Sequence, residues 1–171
     1  RNQTVVDVVD WDVYTDWRMD PNSNQNTFAD VFSDAQLNPR DWISLYSNVR
    51  YDVDNSLWRA FNQGINLHPQ NHRWNLTAGQ YYYLAHPSTS TADRTDVYYS
   101  GTGLRLNENW SFSPRQYFDA KAGELTQHDY ILHRDMRSWT FFLDLSFRKD
   151  TGRRDNEMAL SFNYSLKAFP R

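Results

Sequence analysis

The chain has 171 residues and no cysteine, which suits a single domain without a disulfide framework or thiolate chemistry. Its formal net charge is −3 with acids and bases interspersed, so we expect no nucleic-acid partner. The mean hydropathy is −0.85, and no apolar run approaches the length of a membrane helix. Any crossing of a membrane would therefore use β-strands, in which only alternate residues need to be apolar.

The first predicted strand covers residues 5–18 and alternates between apolar and acidic side chains. Apolar residues such as Trp11 face one way, while Asp10, Asp12 and Asp16 face the other. We predict that these three carboxylates line the polar lumen of a barrel. Clustered carboxylates can also bind calcium, but the segment lacks a glycine-centred loop, so we predict no metal site.

Residues 21–38 are rich in Asn, Asp and Ser and predict a long loop, with at most one helical turn at residues 28–32. Alternating patterns then predict six strands, broken by a second loop at residues 87–95. These strands cover residues 42–53, 57–67, 74–84, 96–106, 110–118 and 125–134.

The end of the chain, residues 137–171, has the clearest alternation and predicts a hairpin of two long strands around a charged turn. Each strand is near the roughly 9–11 residues that a tilted strand needs to cross a bilayer. We predict that lipid contacts the apolar side, which consists of Trp139, Phe141, Leu143, Leu145, Phe147, Met158, Leu160, Phe162, Tyr164 and Leu166. The opposite side carries Asp144, Arg148 and Asn163, which we predict to face the lumen.

The predicted fold is therefore all-β, an antiparallel meander of about 8–10 strands forming a β-barrel or the C-terminal part of a larger outer-membrane barrel. We expect one domain over residues 1–171, as a fragment of a longer polypeptide. The count is nine, whereas a bacterial barrel has an even number of strands. The long loops after the first and fourth strands would also lie at opposite ends, which counts against a simple porin-like arrangement.

Six tryptophans stand near predicted strand ends: Trp11, Trp17, Trp42, Trp74, Trp110 and Trp139. In a membrane barrel such residues form girdles at the two interfaces, whereas in a soluble barrel they would fill a core or stack on sugars. No nucleophile stands beside a partner base, and His68 and His72 fall on a turn rather than on a helix. We therefore expect no enzyme activity and no cofactor.

Several segments resemble the C-terminal region of the LptD (OstA) lipopolysaccharide-assembly outer-membrane family. They are YILHRD at residues 130–135, TFFLDLSFR at 140–148, FNYSLKAFP at 162–170 and, in style, VVDWDVYTDWR at 8–18. The resemblance implies a very large barrel in the bacterial outer membrane that passes lipopolysaccharide to the outer leaflet, of which this chain would be the last strands. It also implies contact with outer-membrane lipids, a plug lipoprotein of the LptE type and the barrel-insertion machinery, without catalysis.

Two other interpretations remain open at this point. A soluble lipocalin-like barrel or carbohydrate-binding sandwich would turn the apolar faces inward, and Arg59 and Gln63 among apolar positions favour it. An enzyme built on such a barrel, for example a lipid hydrolase, has no triad-like spacing to support it. Accessibility of the apolar side of the terminal hairpin separates the membrane interpretation from the soluble one.

Overall fold

In a computed structural model of the chain, residues 8–23, 25, 27–85, 94–149 and 156–167 are described. Their regular elements are all β-strands, and these form one ten-stranded antiparallel meander in which strand order follows chain order. This confirms the predicted fold class. The strands are β1 (Val9–Trp17), β2 (Phe28–Arg40), β3 (Ile43–Asp52), β4 (Leu57–Leu67), β5 (Trp74–Leu84), β6 (Arg94–Arg105), β7 (Trp110–Asp119), β8 (Glu124–Asp135), β9 (Trp139–Lys149) and β10 (Asn156–Leu166).

The strand that sequence analysis missed is β2, so the prediction of a loop over residues 21–38 with a helical turn at 28–32 is wrong. Its Asp, Asn and Ser residues have low intrinsic strand propensity, and this composition hid the alternation of Val31, Ala35 and Leu37. In the sheet, β2 pairs with β1 on one side and with β3 on the other. Pairing along both edges outweighs the weak local preference.

Adding β2 also changes where the long connections lie. The strand number becomes even, and the two longest connections run from Trp17 to Phe28 and from Leu84 to Arg94. Each joins an odd strand to the following even strand, so both lie at the same end of the antiparallel sheet. The prediction that they lie at opposite ends is wrong. Because the prediction omitted β2, it gave every later strand the opposite direction.

The chain divides into two compact units, which are described separately below. Unit 1 comprises Arg1–Asn66 and Gly79–Val97, and unit 2 comprises Leu67–Ala78 and Tyr98–Arg171. The outer strands β1 and β10 each have a single strand neighbour, so the sheet is open in the described part of the chain. The described residues contain no helix that is long and apolar enough to span a membrane.

Very little of the described chain is buried. Leu84, at 7% exposure, is the one buried apolar side chain among these residues, and Asp52, at 6%, is the one buried polar side chain. A water-soluble domain of about 150 residues buries roughly 70% of the surface of its unfolded chain around a core. Every described element belongs to the same sheet, so no second layer of secondary structure supplies such a core.

Candidate membrane-facing and polar surfaces

The register between β9 and β10 places all ten residues that we predicted to face lipid on one side of the sheet. They form five directly opposed pairs: Trp139–Leu166, Phe141–Tyr164, Leu143–Phe162, Leu145–Leu160 and Phe147–Met158. The same side continues over the neighbouring strands of unit 2. There, Tyr130 and Leu132 of β8 lie opposite Leu145 and Leu143 of β9, and β7 adds Phe112 opposite Leu132.

This surface, which we call the apolar face of unit 2, is open rather than packed. The five β10 residues on it are 61–75% exposed, and those of β9 are partly exposed. Their rings touch only sideways along the sheet, as in the 4.9 Å separation of the Phe141 and Phe162 ring centroids. No residue of this set is buried, so the apolar face of unit 2 has no covering layer within the described residues.

The length of the apolar face matches a bilayer. From Trp139 to Phe147 there are eight steps of about 3.4 Å, which gives about 27 Å along the strand. At the strand tilt of about 40° that is usual in membrane barrels, this covers about 21 Å of thickness, near the apolar band of about 25 Å. The polar residues of this face include Gln116 and His128, which are opposed within β7 and β8, and Arg134, which is the second-last residue of β8.

Tryptophans mark one end of unit 2. Trp74, Trp110 and Trp139 are the first residues of β5, β7 and β9. Alternate strands of an antiparallel meander run in the same direction, so these three side chains start from the same end of the unit. Such a row is the arrangement that an interfacial aromatic girdle requires.

Unit 1 has an apolar face of its own. The register aligns Val9, Trp11 and Val13 of β1 with Leu37, Ala35 and Ser33 of β2, and β3 continues this side with Leu45 and Val49. The β1 residues are more than half exposed. The Trp11 indole donates a hydrogen bond to the Ser33 hydroxyl at 3.0 Å, which satisfies its polar atom without leaving the face.

The opposite side of unit 1 is polar and holds a connected network. Asp34 of β2 accepts hydrogen bonds from the Tyr14 hydroxyl at 3.1 Å and from the Asn48 amide at 2.8 Å. The Phe32 ring stacks on the Tyr14 ring with 5.0 Å between the ring centroids, and the Arg50 guanidinium carbon lies 5.5 Å from the Phe32 centroid. Aromatic and charged groups therefore alternate across β1, β2 and β3 and hold these side chains in fixed positions.

Ion pairs continue this polar side towards the end of the strands. Arg50 pairs with Asp30, and Arg18 donates a hydrogen bond to Asp54 at 2.7 Å. That hydrogen bond and the Asp54 charge raise the pKa of Arg18 above its ordinary value, although burial opposes the effect. The pair therefore stays charged throughout the pH range in which Asp54 is ionised.

The two polar residues that favoured a soluble protein, Arg59 and Gln63, also have polar partners within unit 1. The Arg59 guanidinium is 4.0 Å from the carboxylate of the buried Asp52. Gln63 donates to Gln80 at 3.3 Å, and Gln80 in turn donates to Asp96 at 2.8 Å. Arg59 and Gln63 thus have polar partners, although they alternate with Leu57, Phe61 and Ile65 on the same side of β4.

Unit 2 has a shallow polar groove on the side opposite its apolar face. Its floor is Gly101 and Gly103 of β6, and its volume is about 460 Å³. A Cβ atom on Gly103 would lie 2.6 Å from the Asn75 amide nitrogen, so only glycine lets the Asn75 side chain lie flat there. The Gly103 N–H donates to the Asn75 Oδ1 at 3.1 Å. Arg115 and Tyr117 of β7 form the far wall.

The six residues that we predicted to face a lumen separate into two groups. In unit 1, Asp10 and Asp12 lie opposite Gln36 and Asp34 on the polar side, and Asp16 borders the hollow that holds Arg18 and Asp30. In unit 2, the register places the remaining three on the polar side of the terminal hairpin. Their opposed pairs are Asp144–Ser161, Arg148–Glu157 and Asn163–Phe142.

Sequence analysis missed several side chains on these surfaces. Arg134 lies on the apolar face of unit 2 and stacks on Trp110, a pairing that requires knowledge of the register between β7 and β8. Asp30 and Asp34 were missed with the whole of β2. The described residues contain no group of three His, Asp or Glu side chains that could hold a metal ion.

Comparison of the sequence with known protein families and with curated proteins finds no match.

Proposed function

We propose that the chain forms the C-terminal strands of an outer-membrane β-barrel that takes part in lipopolysaccharide assembly, without catalysis. The observation that carries the membrane part of this proposal is that each unit has an open apolar face, while Leu84 is the one buried apolar side chain among the described residues. Exposure of this apolar surface to water is unfavourable, whereas contact with lipid removes it from water.

The polar sides support a passage rather than an enzyme. On β1, β2 and β3 the side opposite the apolar face of unit 1 carries carboxylates, an amide and an arginine that pair with one another. Such a lining stays hydrated and lets a polar headgroup move past. The proposal needs no reacting group, because the barrel acts through its two surfaces.

The connections support an orientation across the membrane. In unit 1 the two longest, after Trp17 and after Leu84, lie at one end of the strands, whereas the two-residue connection at residues 41–42 lies at the other end. Bacterial barrels place short turns in the periplasm and long loops outside the cell. The end of unit 1 that carries the two long connections would therefore face the outside of the cell.

The lipopolysaccharide cargo rests on the family resemblance of segments such as YILHRD and FNYSLKAFP. The same resemblance supplies the proposed partners, namely a plug lipoprotein of the LptE type and the barrel-insertion machinery. Two neighbouring residues of β10 supply a direct test, because the register with β9 places Phe162 on the apolar face and Asn163 on the polar side.

The test combines fractionation with photo-crosslinking in a Gram-negative host. We expect extraction to require detergent and the protein to migrate differently on a gel before and after heating. A photoreactive residue at Phe162 should capture phospholipid, and the same residue at Asn163 should capture lipopolysaccharide. Release without detergent would refute the membrane assignment and favour a soluble protein. Detergent dependence without capture at Asn163 would retain the barrel and refute the cargo.

A further inference from the structure

An arginine stands on the apolar face of unit 2, close to the end where β7 and β9 begin. Arg134 of β8 lies directly opposite Trp110 of β7 and Phe141 of β9, two positions along the strand from Leu132. The centre of its guanidinium group is 4.8 Å from the centroid of the Trp110 ring. Its Nε is buried and has no hydrogen-bond partner, and within the described residues no carboxylate pairs with it. The Nε–H of this charged group is thus left without an acceptor within the described part of the sheet.

The place of Arg134 along the strand explains how such a charge is tolerated. It is the second-last residue of β8, and Trp110 and Trp139 begin the two neighbouring strands. An arginine on the lipid side of a barrel costs about 2–4 kcal/mol at the midplane but only about 0–1 kcal/mol near the interface. Arg134 therefore stands at headgroup level, between indole rings that prefer the same level.

We infer that Arg134 and Trp110 form a binding site for the phosphate group of a membrane phospholipid. A guanidinium group offers five N–H donors in a planar fork that fits phosphate oxygens. The Trp110 ring supports the guanidinium from one side by a cation–π contact and limits its rotamers. The missing acceptor is then a lipid phosphate, whose negative charge complements the Arg134 guanidinium.

The inference rests on the proposed function, since it requires that the apolar face of unit 2 contacts lipid. It goes further by naming one lipid class and one position. The site lies at the end of unit 2 where β7 and β9 begin, at the level of Trp110 and Trp139. Lipopolysaccharide and free phosphate carry the same chemical group, and the experiment separates these sources.

The experiment measures the distance between arginine and lipid by solid-state NMR. The full chain is labelled with ¹³C at every arginine Cζ and inserted into phosphatidylglycerol vesicles, and the dephasing of these carbons by ³¹P is recorded. We expect dephasing in the wild-type protein and loss of the Arg134 contribution in Arg134→Lys, which keeps the charge but carries no labelled carbon. Arg115→Lys, on the polar wall of the groove in β7, is the matched control and should leave that contribution in place.

Each other outcome has a defined meaning. Equal dephasing in wild type and Arg134→Lys would overturn the inference. Dephasing in galactolipid vesicles with inorganic phosphate would assign the site to a free ion, and dephasing that needs added lipopolysaccharide would assign it to cargo. Heat-modifiable migration of the same samples reports membrane insertion separately, so a protein that does not insert refutes the proposed function, whereas an inserted protein without the Arg134 contribution refutes only the lipid site.

Discussion

Two adjacent residues of β10 allow a sharp test of which side of the sheet meets lipid. Leu160 lies near the middle of the strand, is 66% exposed and stands opposite Leu145 on the apolar face of unit 2. Ser161 is the next residue, is also exposed and stands opposite Asp144 on the polar side. Replacement of either residue by arginine adds the same charge at nearly the same depth.

The expected magnitudes differ because the two arginines meet different surroundings. At Leu160 the guanidinium enters hydrocarbon near the bilayer midplane, which costs about 2–4 kcal/mol of folding free energy in a membrane barrel. At Ser161 it enters a hydrated surface opposite the Asp144 carboxylate, where an exposed ion pair is worth about 0–1 kcal/mol in its favour. The two variants should therefore differ by at least about 2 kcal/mol.

The measurement is reversible folding of the full chain into phospholipid vesicles, with the free energy of unfolding taken from denaturant titrations of wild type and both variants. If the sheet were soluble, Leu160 would be an exposed surface residue, and its replacement would change stability by no more than about 0.5 kcal/mol. Equal stabilities of the two variants, or full folding in buffer without lipid, would refute the assignment of this face to the membrane.

Two further substitutions test the interior contacts of each unit by the same titrations. Gly103→Ala places a Cβ 2.6 Å from the Asn75 amide and should lower the free energy of unfolding by about 1 kcal/mol, the value of one hydrogen bond. The control, Gly101→Ala, meets only ordinary contacts and should leave stability unchanged. Equal effects of the two substitutions would contradict this prediction. Asp52→Ala removes the acceptor of two hydrogen bonds from Asn55, at 2.9 and 3.0 Å, and should lower the free energy of unfolding by about 2 kcal/mol. Asp52→Asn should restore part of this stability. A loss of stability below about 0.5 kcal/mol in Asp52→Ala would show that the turn does not depend on this side chain.

Local pattern was sufficient for the strands that alternate without interruption between clear turns. The predicted limits of 57–67 and 74–84 coincide with β4 and β5, and the ten apolar residues of the terminal hairpin share one side as predicted. A hairpin of two alternating strands has few registers that keep one side apolar, so pattern and pairing specify the same arrangement.

Pattern failed where the neighbours of a strand, rather than its own residues, decide its conformation. β2 reads as a loop from its Asp, Asn and Ser content, and only its two partners make it a strand. The contact between Arg134 and Trp110 joins residues that are far apart in sequence, and no local rule predicts their register. A signal was present, since Arg134 shares the alternation of Tyr130 and Leu132 and is a charge on the apolar side near a strand end.

The edge strands of the sheet favour the same environment as its apolar faces, namely the proposed membrane. Every residue of β1 and β10 is exposed, and each strand has one neighbour. In hydrocarbon each unpaired backbone polar group costs several kcal/mol, so a sheet with lipid over its apolar sides also needs a strand beside each free edge. In water the same edges would be open to pairing with strands of other molecules, because neither β1 nor β10 contains a proline. A closed barrel in a membrane would pair both edge strands and cover the apolar sides with lipid. An open sheet in water leaves the edges unpaired and the apolar sides exposed.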